Sequence, residues 1–154
     1  MTDSERLIAF EQLKELKAQY CRHADHLAAA EFANLFTEDA VMDMREALPG
    51  MLQGPEGVIR GRAAIHELLV GVKAAGVKSV HQVLMPELEL LNKDEARGIW
   101  ALEDILCPFA AKPEFNFHGW GHYHETYRRV GGVWRFASVR VTRLMTNLWK
   151  AEVQ

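Results

Sequence analysis

The chain has 154 residues, of which 49% are hydrophobic and 25% charged, with a formal net charge of −3. A chain of this length and balance buries enough surface to fold as one domain, residues 1–154, without disulfides or metal, and is too apolar to be disordered. The slight negative charge offers no basic face to a phosphate backbone, and no run of about 18 apolar residues is present, so neither nucleic acid nor a membrane is an expected partner.

Cys21 and Cys107 lie far apart in apolar settings, which suits a reducing compartment better than a disulfide framework. The polar stretch 1–6 is not followed by the apolar core of a signal peptide. Together these features lead us to expect a soluble, cytoplasmic protein.

Thr2 and Glu5 have the spacing of a capping box. Leu7, Phe10, Leu13, Leu16 and Tyr20 then recur at helical spacing, predicting an amphipathic helix from about residue 4 to the high twenties. A second, short helix presents Phe32, Leu35 and Phe36, is ended by Thr37-Glu38-Asp39, and gives way to a strand over 40–44. Residues 45–60 carry Pro49, Gly50, Gly54, Pro55 and Gly57 and read as a loop with a short strand at Val58-Ile59. Ile65, Leu68, Leu69 and Val72 predict a third helix over 62–75, stopped by Gly76.

Beyond Lys78 the period changes to two. Four long strands are predicted over 80–91, 96–109, 115–130 and 133–144, joined by turns at Asn92-Lys93-Asp94, Ala111-Lys112-Pro113 and Gly131-Gly132. Long neighbours with tight turns form an antiparallel meander. Helices followed by a curved sheet make an α+β cone, the sheet wrapping the helices and leaving a pocket inside.

Alternation then singles out polar side chains that face inward. Trp100, Leu102, Asp104 and Leu106 share one face of their strand, so the Asp104 carboxylate needs a partner or a shifted pKa. Trp134, Phe136, Arg140 and Leu144 share a face of the last strand, which predicts Arg140 as a second interior charge. Asp104 and Arg140 are then either a structural ion pair or the polar part of a site on an apolar wall. His81 shares its face with Val83 and Met85 and reads either as a core histidine or as a catalyst. Tyr20 and Asp25 lie late on the first helix, about 140° apart around an ideal helix. Both reach one pocket only if the helix crosses the mouth of the cone or loosens near Ala28-Ala29-Ala30. His118, His122 and His124 alternate onto one strand face, a spacing that can hold a divalent metal, but no ligand from a second strand is evident and the row also suits a solvated or subunit-facing surface.

These residues lie in stretches that resemble the SnoaL-like branch of the nuclear transport factor 2-like superfamily over nearly the whole chain. The likeness runs through 16–25, Leu35-Phe36-Thr37-Glu38-Asp39-Ala40, Val80-His81, Trp100-Ala101-Leu102-Glu103-Asp104, Gly132-Val133-Trp134-Arg135-Phe136 and Arg140. It is strongest toward the bile-acid 7α-dehydratases and more distant toward scytalone dehydratase. The first resemblance implies a pocket lined by a helix Tyr, an Asp five residues later, a strand His, a strand Asp and a last-strand Arg, matching Tyr20, Asp25, His81, Asp104 and Arg140. Against the second, Ala24 and Met44 stand where two tyrosines would hold a water, and Leu106 falls near a second pocket histidine, which argues against scytalone as substrate.

The resemblance implies a dehydratase that uses no cofactor or metal and works by general acid–base chemistry on a small, largely hydrophobic, ring-containing hydroxy-carbonyl compound. His81 would be the base and acid, Asp25 its partner and Tyr20 a hydrogen-bond donor to the carbonyl oxygen. Asp104 and Arg140, with Trp100, Met44 and Leu102, would bind the substrate, and Phe117, Trp134 and Phe136 would extend the apolar wall. The same fold serves steroid-type isomerases, cyclases and ligand-binding modules without catalysis, and these remain alternatives. A sheet apolar on both faces needs its outer face covered, so a homodimer or homotrimer is expected.

Overall fold

A computed structural model of the chain describes residues 1–48, 50–109 and 112–150. The capping box forms as expected: the Glu5 amide donates to Thr2 Oγ1 and the Thr2 amide to the Glu5 carboxylate. It starts helix α1 (Asp3–Asp25), which buries Ala9, Leu13, Leu16, Lys17, Tyr20, Cys21 and Ala24. The buried stripe begins later than the sequence suggests, and Leu7 is exposed together with Ile8. Helix α2 (Ala29–Ala33) is a single turn, and strand β1 (Phe36–Asp43) starts four residues ahead of the expected 40. The difference is tertiary. Phe36 pairs in register with Phe136 of the last strand, and their rings pack 5.2 Å apart, so it is drawn into the sheet rather than onto a helix.

Strand β2 (Val58–Arg60) leads through Gly61, at φ +86°, into helix α3 (Arg62–Ala74). A side chain would strain that backbone, and glycine does not. Strands β3 (Lys78–Leu90), β4 (Glu95–Cys107), β5 (Phe115–Val130) and β6 (Val133–Lys150) follow as the predicted meander. The expected turn at 111–113 falls partly on Ala111, and the loop proline Pro49 likewise lies outside the described residues.

The six strands form one curved, unclosed sheet in the order β2-β1-β6-β5-β4-β3. Only the β1–β6 pair is parallel. The helices fill its inner face, where residues from α1, α2, α3 and the strands make one apolar core. Among the described residues no helix is long and apolar enough to cross a membrane.

Strands β1, β3 and β6 depart from strict alternation, and the departures in β3 and β6 decide which side chains enter the core. In β3, Leu84 pairs with Ala101 but Glu87 with Ile99, so Met85 and Pro86 together face one residue. Proline supplies no ladder donor, and the bulge turns Met85 outward to 93% exposure and sends Leu88 and Leu90 inward. In β6, Tyr127 pairs with Phe136 but Thr126 with Ser138, so Ala137 is an extra residue. Beyond it Val139, Val141 and Arg143 take the inner face, while Arg140 and Leu144 are exposed.

Candidate active site

Between α1, α3, the loop after β1 and the inner face of the sheet lies a cavity of about 420 Å³. Its walls are mostly apolar and include Met44, Leu102, Leu68 and Val72, with Ala24 and Leu106 among the rest. The polar groups are few: Tyr20, Glu67, Ser79, His81, Asp104, Tyr123 and Arg143. An apolar hollow with a few convergent polar groups is the usual form of a small-molecule site.

His81 sits on β3, which α1 packs against. Asp25, the last residue of α1, accepts from His81 Nδ1 at 2.6 Å, from the His81 amide at 3.0 Å and from Ser79 Oγ at 3.0 Å. An ionised carboxylate only accepts, so Nδ1 carries the proton and Nε2 is the nitrogen left for the cavity. The five-residue offset that separates Tyr20 from Asp25 around the helix is resolved by this arrangement. Tyr20 lines the cavity itself, whereas Asp25 reaches the edge strand and bonds His81, which lines the cavity.

Asp104 is the cross-strand partner of His81, on the same inner face. It is paired, but with Arg143: Nη1 donates to Oδ1 at 2.6 Å and Nη2 to Oδ2 at 2.8 Å. The remaining guanidinium nitrogen, Nε, donates to the Ala47 carbonyl at 2.7 Å and so ties the pair to the loop after β1. Gly119 lies between them on β5, opposite Asp104. A Cβ there would stand 2.5 Å from Arg143 Nη1 and 2.7 Å from Asp104 Oδ1, so the missing side chain is what lets the pair close across the strand.

The expectation for Arg140 is therefore corrected. The bulge at Ala137 reverses the phase of β6, and Arg140 turns outward to donate to Glu46 at 2.6 Å. Trp100 is inward-facing and buried as expected, but it lies below the cavity and donates from Nε1 to Tyr127 Oη at 2.8 Å. Phe117, stacked on Phe109, and Trp134 and Phe136 are likewise core residues rather than cavity wall. Met44 and Leu102 line the cavity.

Tyr20 is nearly sealed among Phe32, Phe36, Tyr123 and Phe136, with ring centroids 4.8 to 6.1 Å away. Burial, and next the Glu125 carboxylate, push its phenol pKa far above the ordinary value, so it is a proton-bearing donor throughout the physiological range.

Sequence reasoning missed one interior pair. The Lys17 and Glu125 side chains are both 0% exposed and meet at 2.5 Å. The signal was present: Lys17 follows Leu13 by four residues and precedes Cys21 by four, and Glu125 alternates with Tyr123 and Tyr127. Arg143 was hidden by the bulge. Ser79 and the cavity residues from α3 and the loop depend on how those segments dock.

The histidine row lies on the outer face. His118 meets Glu103 of β4 at 2.7 Å and stacks on Trp120, so a second-strand neighbour does exist. His124 bonds Thr142, and the His122 and His124 rings are 6.3 Å apart. Among the described residues no three metal-ligating groups converge.

The SnoaL-like domain family model matches residues 5–140, and the chain belongs to that family. It is 25% identical over 145 residues to a probable cyclase, FGR4, of Gibberella zeae, covering 88% of this chain and 91% of the relative. Among solved structures it is similar to a hexachlorocyclohexane dehydrochlorinase, LinA type 2, with a TM-score of 0.81 at 17% identity, covering 98% and 95% of the two chains. A scytalone dehydratase-like protein from Novosphingobium aromaticivorans gives a TM-score of 0.77 at 20% identity, with 99% and 94% coverage. At these identities the structural likeness establishes the fold.

Proposed function

We propose that the protein is a cofactor-free lyase that removes water from a small, hydrophobic, ring-containing β-hydroxy carbonyl compound. The observation that carries this reading is the Asp25–His81 dyad, 2.6 Å long, whose free imidazole nitrogen is left to an apolar cavity. His81 Nε2 takes the proton from the carbon next to the carbonyl. Asp25 stabilises the imidazolium that results, and Tyr20 donates to the carbonyl oxygen as it gains enolate charge. The enolate then reforms its carbonyl, the β C–O bond breaks, and His81 returns its proton to the departing hydroxyl, which leaves as water. Asp104 and Arg143 orient the substrate, the place expected of Arg140.

The relationship to a probable cyclase supports a second reading. The same proton abstraction would then let the enolate carbon bond to a second carbonyl carbon in the substrate, whose C=O π bond opens and whose oxygen takes the proton back from His81, with no loss of water. Exposed apolar side chains on the outer sheet face, among them Leu84, Ile99 and Met145, support self-association as a homodimer or homotrimer.

Both chemical readings begin with proton abstraction, which a simple bicyclic ketone can report. Wild-type protein in deuterated water should exchange the C–H protons beside the carbonyl of 2-tetralone, followed by nuclear magnetic resonance, and His81→Ala should abolish the exchange. Exchange that survives in His81→Ala rejects the assignment of the base. Cyclic β-hydroxy ketones then separate lyase from cyclase by whether water is lost.

A further inference from the structure

Beneath the cavity floor lies a chain of polar groups that the proposed chemistry does not use. Trp100 Nε1 donates to Tyr127 Oη, Tyr127 donates to Glu125 Oε2, and Glu125 Oε1 accepts from Lys17 Nζ at 2.5 Å. All four side chains are buried. The Lys17 ammonium also lies 3.3 Å from the centroid of the Tyr123 ring and 3.9 Å from that of Tyr20. These two tyrosines are the phenols that line the cavity.

A buried ion pair is a poor source of stability, because desolvation takes back most of the Coulomb gain and a well-packed apolar pair would serve as well or better. The position of this pair suggests another use. An ammonium against the faces of two phenols is attracted by the ring electrons and holds both rings in place. Glu125 keeps the lysine in that spot, and Tyr127 and Trp100 fix Glu125.

We propose that Lys17, held by Glu125, is a positioning residue for Tyr20 and Tyr123 and holds both phenols where they can donate to a ligand oxygen in the cavity. The inference deepens the reading given above, because it supplies the oxyanion-stabilising half of a site whose proton-moving half is the dyad. It also narrows the ligand. The reactive end must present a compact carbonyl or enol oxygen to a pair of phenols, rather than a carboxylate or phosphate seeking a free cation, since both inward cations, Lys17 and Arg143, are already paired.

The test removes both charges together, so that neither is left alone in the core. Lys17→Met with Glu125→Gln keeps the volume and an acceptor for Tyr127. Two probes separate the effects: exchange into 2-tetralone, and binding of 2-naphthol, whose oxygen mimics the enol. Relative to wild type, the paired variant should lose about tenfold or more in kcat for exchange with KM changed less than about twofold, the split expected when a contact strengthens only as charge develops. Its affinity for 2-naphthol should fall about fivefold or more, while that for naphthalene, which has no oxygen, stays within about twofold.

In a Tyr20→Phe, Tyr123→Phe background the same replacements should change neither number further, because the phenols through which Lys17 acts are gone. Equal losses for 2-naphthol and naphthalene, or equal losses with and without the phenols, would overturn the proposal and leave the pair a structural one. If the paired variant does not fold, Lys17→Gln with Glu125→Gln, which retains an amide–amide hydrogen bond, gives the same comparison. A wild type that exchanges no 2-tetralone while 2-naphthol binding still responds would reject the lyase reading and keep this one.

Discussion

Two ion pairs face the inside of this sheet, and they are built differently. Lys17–Glu125 is sealed, with no exposure on either side chain, and every other partner of the carboxylate is itself buried. Arg143–Asp104 is 10% and 5% exposed, borders the cavity, and is bidentate, with its last guanidinium nitrogen on the backbone of a loop. The first pair cannot exchange its partner for water, whereas the second can. That difference is what the proposed roles rest on, the sealed pair holding the floor of the cavity and the bordering pair meeting a ligand that enters it. Arginine suits the second place because its planar fork fits a carboxylate in two bonds and remains charged.

The largest effect separating the two regions should come from alkali. The three tyrosines of the chain, Tyr20, Tyr123 and Tyr127, all lie in the sealed region. Burial raises the pKa of each well above the ordinary 10.0. The folded state therefore keeps phenol protons that the unfolded chain releases. Stability from these groups is complete below pH 10 and is lost as the pH rises toward their folded values. Tyrosinate absorbance should appear together with loss of the circular-dichroism signal; a phenol that titrates while the fold persists would mean that water reaches the floor.

Next in size is Glu125→Ala, which leaves the Lys17 ammonium unpaired in the core. Burial already depresses the Lys17 pKa, against the opposing pull of Glu125. Removing that pull should cost about 3–5 kcal/mol, read as a lower urea midpoint and melting temperature. Arg143→Gln should cost less, about 1–3 kcal/mol, because Asp104 borders a cavity that water can enter. Its main consequence should be a change in 2-naphthol affinity. Equal stability losses for the two variants would show that the cavity is as dry as the core and would dissolve the distinction.

The smallest effect is expected at Arg140, which pairs with Glu46 while both side chains are about half exposed. Arg140→Gln should shift stability by less than about 1 kcal/mol and leave exchange into 2-tetralone unchanged. A loss of exchange as large as that of Arg143→Gln would restore Arg140 to the site.

Much of this was legible along the chain. The capping box of α1, the end of α3 near Gly76 and the four-strand meander follow from local spacing, and Asp104 faces inward because β4 alternates without interruption. His81 and Asp25 were both named as site residues, and the structure adds the direction from which Asp25 comes. Arg140 was misplaced by the same rule that placed Asp104. Alternation assumes an unbroken ladder, and the extra residue at Ala137 exchanges the two faces of β6 as far as Arg143, where a second extra residue, Leu144, exchanges them again.

The sequence by itself determined most of the element types, the meander and part of the set of polar residues that face the interior, because these depend on periodicities of two and 3.6 residues and on turn chemistry within a few positions. Only the tertiary structure decided which of them meet. The bulges at Met85-Pro86 and Ala137 set the phase of β3 and β6, the gap at Gly119 lets Arg143 reach Asp104, and the docking of α1 brings Lys17 to Glu125, 108 residues away in the chain. Each is a relation between segments distant in sequence, set by how strands register and helices pack, and no local pattern carries that information.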